Sequence, residues 1–123
     1  MTTPVTPKLL LLVDDDADLR RSVSRLLRRA GWTVVEARDG LEALEMLEDL
    51  SPAVLLTDMR MPHMGGLQLI DAVRADDGAL PIVVLSGYHD VPVLELKRRG
   101  AAAVLDKPVA PALLRETLLR VAG

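Results

Sequence analysis

The sequence predicts an α/β fold of the doubly wound type, five strands alternating with five helices around one parallel sheet. Three observations carry this. Short apolar runs recur at Leu9–Val13, Val34–Ala37, Val54–Thr57, Ile82–Leu85 and Ala101–Leu105, each too short for a helix and nearly continuous, as strands buried on both faces are. Stretches of helical periodicity lie between them. Strand–helix alternation of this kind requires right-handed crossovers and places helices on both sheet faces.

The helices follow in order. Leu19, Val23, Leu26, Leu27 and Ala30 share one face of the first, and Gly31 stands where a left-handed stop is needed. Asp39 and Gly40 offer the cap of the second, whose Leu41, Leu44 and Leu47 recur at helical spacing before Ser51-Pro52 ends the run. The third spans about Leu67 to Arg74, and the fourth runs from near Val91 to Arg99, closed by Gly100. Pro111 sits in the first turn of the fifth, with Leu114, Leu118 and Val121 on one face. Residues 1–7, with Pro4 and Pro7, are expected to form a loose tail, residues 8–123 one domain, and the last helix the end of the chain.

Bulk properties narrow the function. The 123 residues suit one domain, and with half of them apolar a core can form without staples. No cysteine is present, which excludes disulfides and thiolate metal sites and favours a reducing compartment. No apolar run approaches the roughly 18 residues of a membrane span or forms a signal-peptide core, so a soluble, cytoplasmic protein is expected. A net charge of −3 argues against direct nucleic-acid binding, and the cluster Arg20, Arg21, Arg25, Arg28 and Arg29 is expected to be a solvated helix face.

In open parallel sheets ligands sit outside the carboxyl ends of the strands, where strand order reverses. Four of the five predicted strands deliver polar groups to that edge: Asp14, Asp15 and Asp16; Asp58; Ser86; Asp106 and Lys107. Crowded carboxylates either share protons or recruit a cation. An oxygen-only set with room for water suits magnesium better than calcium, which takes more ligands, or zinc, which favours His or Cys. Lys107 as a point charge and Ser86 as a neutral donor would complete the surroundings of a phosphoryl group carried on a carboxylate. Asp16 is expected to cap the first helix, Asp18 to complement its dipole, and Asp106 to face solvent. His63 and His89 have no partners at ligand spacing, and Pro62, Gly65 and Gly66 are expected to shape the turn after Asp58.

These motifs resemble the receiver domains of two-component response regulators, from Lys8 to Ala122. VDDDADLR is similar to that family's acidic pair, TDMRMPHMGG to its phosphoacceptor loop, VVLSG to its hydroxyl-bearing fourth strand and DKP to its lysine-proline turn. The resemblance implies a flavodoxin-like (βα)5 sandwich with strand order 2-1-3-4-5. It implies that Asp58 accepts a phosphoryl group from a sensor histidine kinase or histidine phosphotransfer protein. Mg2+ would be held by Asp14, Asp15, Asp58 and the backbone carbonyl of Arg60. Ser86 and Lys107 would contact the phosphoryl group, and the Lys107-Pro108 bond would be cis. Arg60 and Tyr88 occupy positions that flank the attacking water in similar proteins. The resemblance further implies kinase docking on the first helix, homodimerisation through helices four and five, and no enzymatic activity beyond self-phosphorylation and autodephosphorylation.

Val104 stands where similar proteins place Tyr or Phe, three residues before the lysine, and Val109 replaces another common aromatic; the chain has no Phe. The alternative function is therefore a receiver that binds partners without phosphorylation. Two other classes fit less well. An aspartate-nucleophile phosphohydrolase would carry a Thr shortly after its second Asp, where this chain has Asp18, and a flavin or nucleotide module would need a Gly- or Ser-rich cradle where three aspartates stand.

Overall fold

The computed structural model describes residues 8–87 and 91–123. The expected tail of residues 1–7, and the readings of Tyr88 and His89, lie outside the described residues. Ten elements alternate along the chain: β1 (Leu9–Val13), α1 (Ala17–Arg29), β2 (Thr33–Ala37), α2 (Gly40–Leu47), β3 (Val54–Asp58), α3 (Gly66–Asp76), β4 (Ile82–Ser86), α4 (Val93–Arg99), β5 (Ala103–Asp106) and α5 (Pro111–Ala122). The strands form one parallel sheet in the order 2-1-3-4-5.

Alternation along each strand divides the core in two. Leu11, Val13, Leu55 and Val84 pack with α2, α3 and α4 side chains such as Ala43, Ile70 and Leu96. Leu10, Leu12, Leu56 and Val83 face the other way, onto Leu27 of α1 and Leu114 and Leu118 of α5. Leu10, Leu11, Leu55 and Leu56 are all fully buried, each stabilising by about 1.5–3 kcal/mol relative to exposure. This is why the strands read as apolar runs without alternation.

The boundaries differ from the sequence reading for local reasons. β5 begins at Ala103, because the N–H of Ala101 turns back to the Leu96 carbonyl to close α4 around Gly100, whose φ of 124° suits glycine. α4 begins at Val93: Pro92 is its extended N-cap, and a residue preceding proline, here Val91, is steered away from helical backbone. The buried stripe of α1 is rotated from the expected one. Ser24 and Leu27 are buried, whereas Leu19 is 39% exposed and Ala30 is also exposed. In α2, Ala43 is buried and Leu41 faces outward. Gly31, with φ of 100°, ends α1 as expected.

Candidate functional site

β1 and β3 lie side by side where the strand order reverses, so the residues leaving their carboxyl ends share one crevice. At Asp14 the chain leaves β1, its N–H still donating to the Ala37 carbonyl of β2 at 3.1 Å. Its Oδ1 accepts from the Asp16 N–H at 3.0 Å. Asp16 caps α1 by accepting from the N–H groups of Asp18 and Leu19, both at 3.1 Å, and Asp18 pairs with Arg21 at 2.9 Å. Asp16 therefore has the role expected of it, and Asp18 stands in the first turn of α1, where a negative charge complements the helix dipole. Asp15 is left exposed beside the crevice.

Asp58 ends β3, and its Oδ1 takes two donors, the Met59 N–H at 2.9 Å and Lys107 Nζ at 2.8 Å. Among the described residues its Oδ2 accepts no hydrogen bond. Lys107 follows β5 and is held by its own N–H, which donates to the Ser86 carbonyl at 2.9 Å. The Lys107-Pro108 bond is cis. Asp58, Met59, Arg60, Gly87 and Lys107 line a cavity of about 140 Å³.

One carboxylate oxygen from each of Asp14, Asp15 and Asp58 lies within 4.8 Å of the others, a group that could hold a metal ion. Asp14 is 3% exposed, and burial pushes its carboxyl above the usual carboxylate range. The Asp16 N–H opposes that rise, Asp58 and Asp15 add to it by repulsion, and Lys107 offsets part of it. A buried carboxylate repelled by two others is the electrostatic deficit that a divalent cation relieves, and the all-oxygen donor set suits a hard one.

The sequence-selected residues thus sit at one sheet edge, with a distinction among them. Asp14, Asp15, Asp58 and Lys107 converge. Arg60 lines the cavity, while Ser86, 5% exposed at the end of β4, stands next to it and its neighbour Gly87 forms the wall. Asp106 and His63 are exposed, as expected. The glycines after Asp58 shape the turn as expected: a Cβ on Gly66 would lie 2.7 Å from the Asp58 carbonyl oxygen and 3.1 Å from Met59 Cα. Gly66 allows α3 to start directly against the backbone of Asp58 and Met59. A larger cavity of about 440 Å³, lined by Leu44, Leu47, Leu80 and others, lies near the opposite strand ends and has none of these groups.

Two participants escaped the sequence reading. Met59 contributes only its backbone N–H, which side-chain identity cannot signal. Arg20, expected on a solvated face, instead donates to the Asp14 carbonyl at 2.7 Å and to Glu36 Oε1 at 3.1 Å. Arg28 likewise donates to the Val34 carbonyl at 3.0 Å, while Arg25 and Arg29 remain exposed.

A family model described as the response regulator receiver domain matches residues 10–119. The chain belongs to the response regulator receiver family. A receiver protein of Anaeromyxobacter sp. (strain Fw109-5) is 41% identical over 101 residues, covering 81% of this chain and 42% of that protein. The transcriptional regulatory protein PrrA of Mycobacterium tuberculosis is 37% identical over 122 residues, 98% of this chain and 51% of its own length. The chain therefore spans about half the length of these curated relatives. Among solved structures, the chemotaxis response regulator CheY4 of Vibrio cholerae superposes with a TM-score of 0.86 at 35% identity, covering 94% of this chain and 99% of that one. The five-stranded receiver fold with order 2-1-3-4-5 matches these flavodoxin-like neighbours. No described helix is long and apolar enough to cross a membrane.

Proposed function

We propose that this receiver domain takes a phosphoryl group on Asp58 from the phosphohistidine of a sensor histidine kinase or histidine phosphotransfer protein, in a Mg2+-dependent reaction, and changes conformation to signal. The observation that carries this reading is the asymmetric dress of the Asp58 carboxylate. Oδ1 is held by Lys107 and the Met59 N–H, Oδ2 is left without a donor among the described residues, and the carboxylate belongs to the acidic cluster with Asp14 and Asp15. The cavity has room for roughly four or five water-sized groups, the scale of a phosphoryl group.

In the proposed step a free Asp58 oxygen attacks phosphorus in line, the P–N bond to the donor histidine breaks, and the imidazole nitrogen leaves with the bonding pair. Lys107 meets charge developing on the phosphoryl oxygens, and Ser86 donates to the group once it is in place. Asp14, Asp15, Asp58 and the Arg60 carbonyl would hold Mg2+, which supplies charge neutralisation of those oxygens. Water later attacks phosphorus, the P–O bond to Asp58 breaks, and inorganic phosphate leaves.

The exposed Arg25 and Arg29 support docking of an acidic partner face on α1. Val93, Leu94, Leu113 and Leu119, 38–65% exposed, give α4 and α5 apolar area for self-association. A cytoplasmic setting without direct membrane or nucleic-acid contact fits the absence of cysteine and the net charge of −3. A second reading, phosphorylation-independent partner binding, is favoured by Val104 alone, since no ring follows the hydroxyl of Ser86. One experiment separates the two. The protein is incubated with a small phosphodonor and Mg2+, and its intact mass is measured. One added phosphoryl group is expected in the wild type and none in Asp58→Asn; no gain in the wild type, or an equal gain in both, refutes phosphoacceptance.

A further inference from the structure

We propose that Arg20 is a positioning residue for the divalent-cation site, acting through the backbone of Asp14. The inference rests on the reading of Asp14, Asp15 and Asp58 as that site. It starts from the contrast between neighbours on α1. The Arg20 side chain is 18% exposed, whereas that of Arg21, one residue on, is 61% exposed and pairs within its own helix. Arg20 instead points along the crevice, where Nη1 donates to the Asp14 carbonyl at 2.7 Å and Nε to Glu36 Oε1 at 3.1 Å. Its fork ties three elements together: α1, the end of β1 and the carboxyl end of β2, where Glu36 lies in register with Leu12.

The consequence falls on Asp14. Its N–H is held by the Ala37 carbonyl at 3.1 Å, its C=O by Arg20, and its Oδ1 by the Asp16 N–H at 3.0 Å. The N–H and C=O belong to the peptides on either side of Asp14, so these bonds fix both, and the orientation of the second, shared with Asp15, sets the aim of two adjacent carboxylates. Groups that orient metal ligands from behind typically change metal affinity by about 10–100-fold when removed. Arg20 stands in that relation to the cluster.

Charge and positioning make opposite predictions here. Removing a cation close to a cation site tightens binding by Coulomb's law alone, whereas removing a positioning group weakens it. The experiment is isothermal titration of the full chain with MgCl2, with urea unfolding in EDTA as a separate measure of the fold. Arg20→Met, which keeps most of the stem length and loses both donors, is expected to raise the Mg2+ dissociation constant about tenfold. Arg20→Lys, which keeps the charge with a single donor site, is expected to fall between. Arg28→Met, which removes a nearby arginine bonded to Val34 and 3.9 Å from Glu36, is expected to change it less than twofold.

An unchanged or tighter dissociation constant in Arg20→Met overturns the proposal, as does an equal loss in Arg28→Met. If Arg20→Met does not fold, Arg20→Lys and Glu36→Gln decide the matter: both must weaken Mg2+ binding, and the double variant must lose less than the sum of the two. Wild-type protein that fails to bind Mg2+ defeats the site reading itself, a result distinct from wild-type binding that Arg20→Met leaves intact.

Discussion

Asp14→Asn offers the sharpest test of the electrostatics, because the substitution keeps the shape and the Oδ1 acceptor while removing one charge from the cluster. At a separation of 4.8 Å, the limit within which the three ligand oxygens lie, two carboxylates repel by about 1 kcal/mol in bulk water and about 3.5 kcal/mol at an effective dielectric constant near 20. Asp14 faces two such partners, one of them exposed, and Lys107 cancels part of the repulsion. The expected net effect is that metal-free Asp14→Asn is more stable than the wild type by about 1–2 kcal/mol at neutral pH. Urea unfolding in EDTA, followed through Trp32, the single tryptophan and 5% exposed, measures it.

The pH dependence has a definite sign. Burial raises the Asp14 carboxyl above its ordinary value of 3.8, so the folded protein keeps this proton to higher pH than the unfolded chain does. Wild-type stability therefore declines as pH rises from about 4 through the folded value, then levels off. The advantage of Asn grows across that window and vanishes on its acid side, where Asp14 is neutral too. Magnesium is expected to reverse the ranking: at 100 times the dissociation constant a bound ligand adds about 2.7 kcal/mol, available to a wild type that binds it and largely lost to the variant. Destabilisation of Asp14→Asn in EDTA at neutral pH, or equal stabilisation of both proteins by Mg2+, refutes the reasoning.

Other substitutions probe the frame around the site. The Ser24 hydroxyl is buried with no hydrogen-bond partner among the described residues, so Ser24→Ala is expected to stabilise by about 1 kcal/mol, seen as a higher urea midpoint at unchanged slope. Gly66→Ala places a methyl against the backbone of Asp58 and Met59, which cannot swing aside; a loss of about 1–3 kcal/mol is expected, with slower phosphorylation of Asp58 in the mass assay. Gly78→Ala, with nothing within 4 Å of the new methyl, is the neutral control. Asp71 is held below the usual carboxylate range by its bond to Arg99, at 2.6 Å. Its small, salt-screened contribution should be present above pH of about 4 and lost as pH falls through the lowered folded value, so wild type and Asp71→Asn converge in acid.

How far the molecule was legible in its sequence depended on the range of the interaction. The strands were legible because burial on both faces leaves an unbroken apolar run, as in Leu9–Val13, and the site because parallel crossovers bring every strand's carboxyl end to one edge. Asp16 was readable as a cap because capping is a three-residue interaction. Arg20 was not, because its partner Glu36 lies 16 residues away across a sheet edge, and an arginine among arginines carries no mark of which one turns inward. Gly66 was readable as a turn glycine, but which backbone atoms crowd it, those of Asp58 and Met59, only packing determines. The rotation of α1 onto Ser24 was hidden similarly: a serine breaks the apolar stripe that periodicity follows.

The same balance of forces bears on how a signal could leave Asp58. Val104 pairs with Val84 in the ladder and packs into the core shared with α3 and α4, so the strand beside Ser86 is filled by a compact aliphatic side chain with no ring to turn. α4 is the most loosely anchored helix: seven residues long, it buries Leu96 alone, whereas α3 buries four residues and α5 three. Its remaining ties to α3 are polar, Arg99 to Asp71 and Arg74 to the Gly100 carbonyl at 2.6 Å. The exposed Arg99–Asp71 pair contributes about 0–1 kcal/mol, less than one buried leucine, and the part-buried Arg74 hydrogen bonds go to the Gly100 carbonyl at the helix end. A displacement of α4 over α3 would break these polar contacts and the packing of Leu96, fewer buried side chains than a displacement of α3 or α5 would disturb. If Asp58 accepts a phosphoryl group as proposed, α4 is the element expected to move at least cost, and the aliphatic side chain of Val104 does not block that movement.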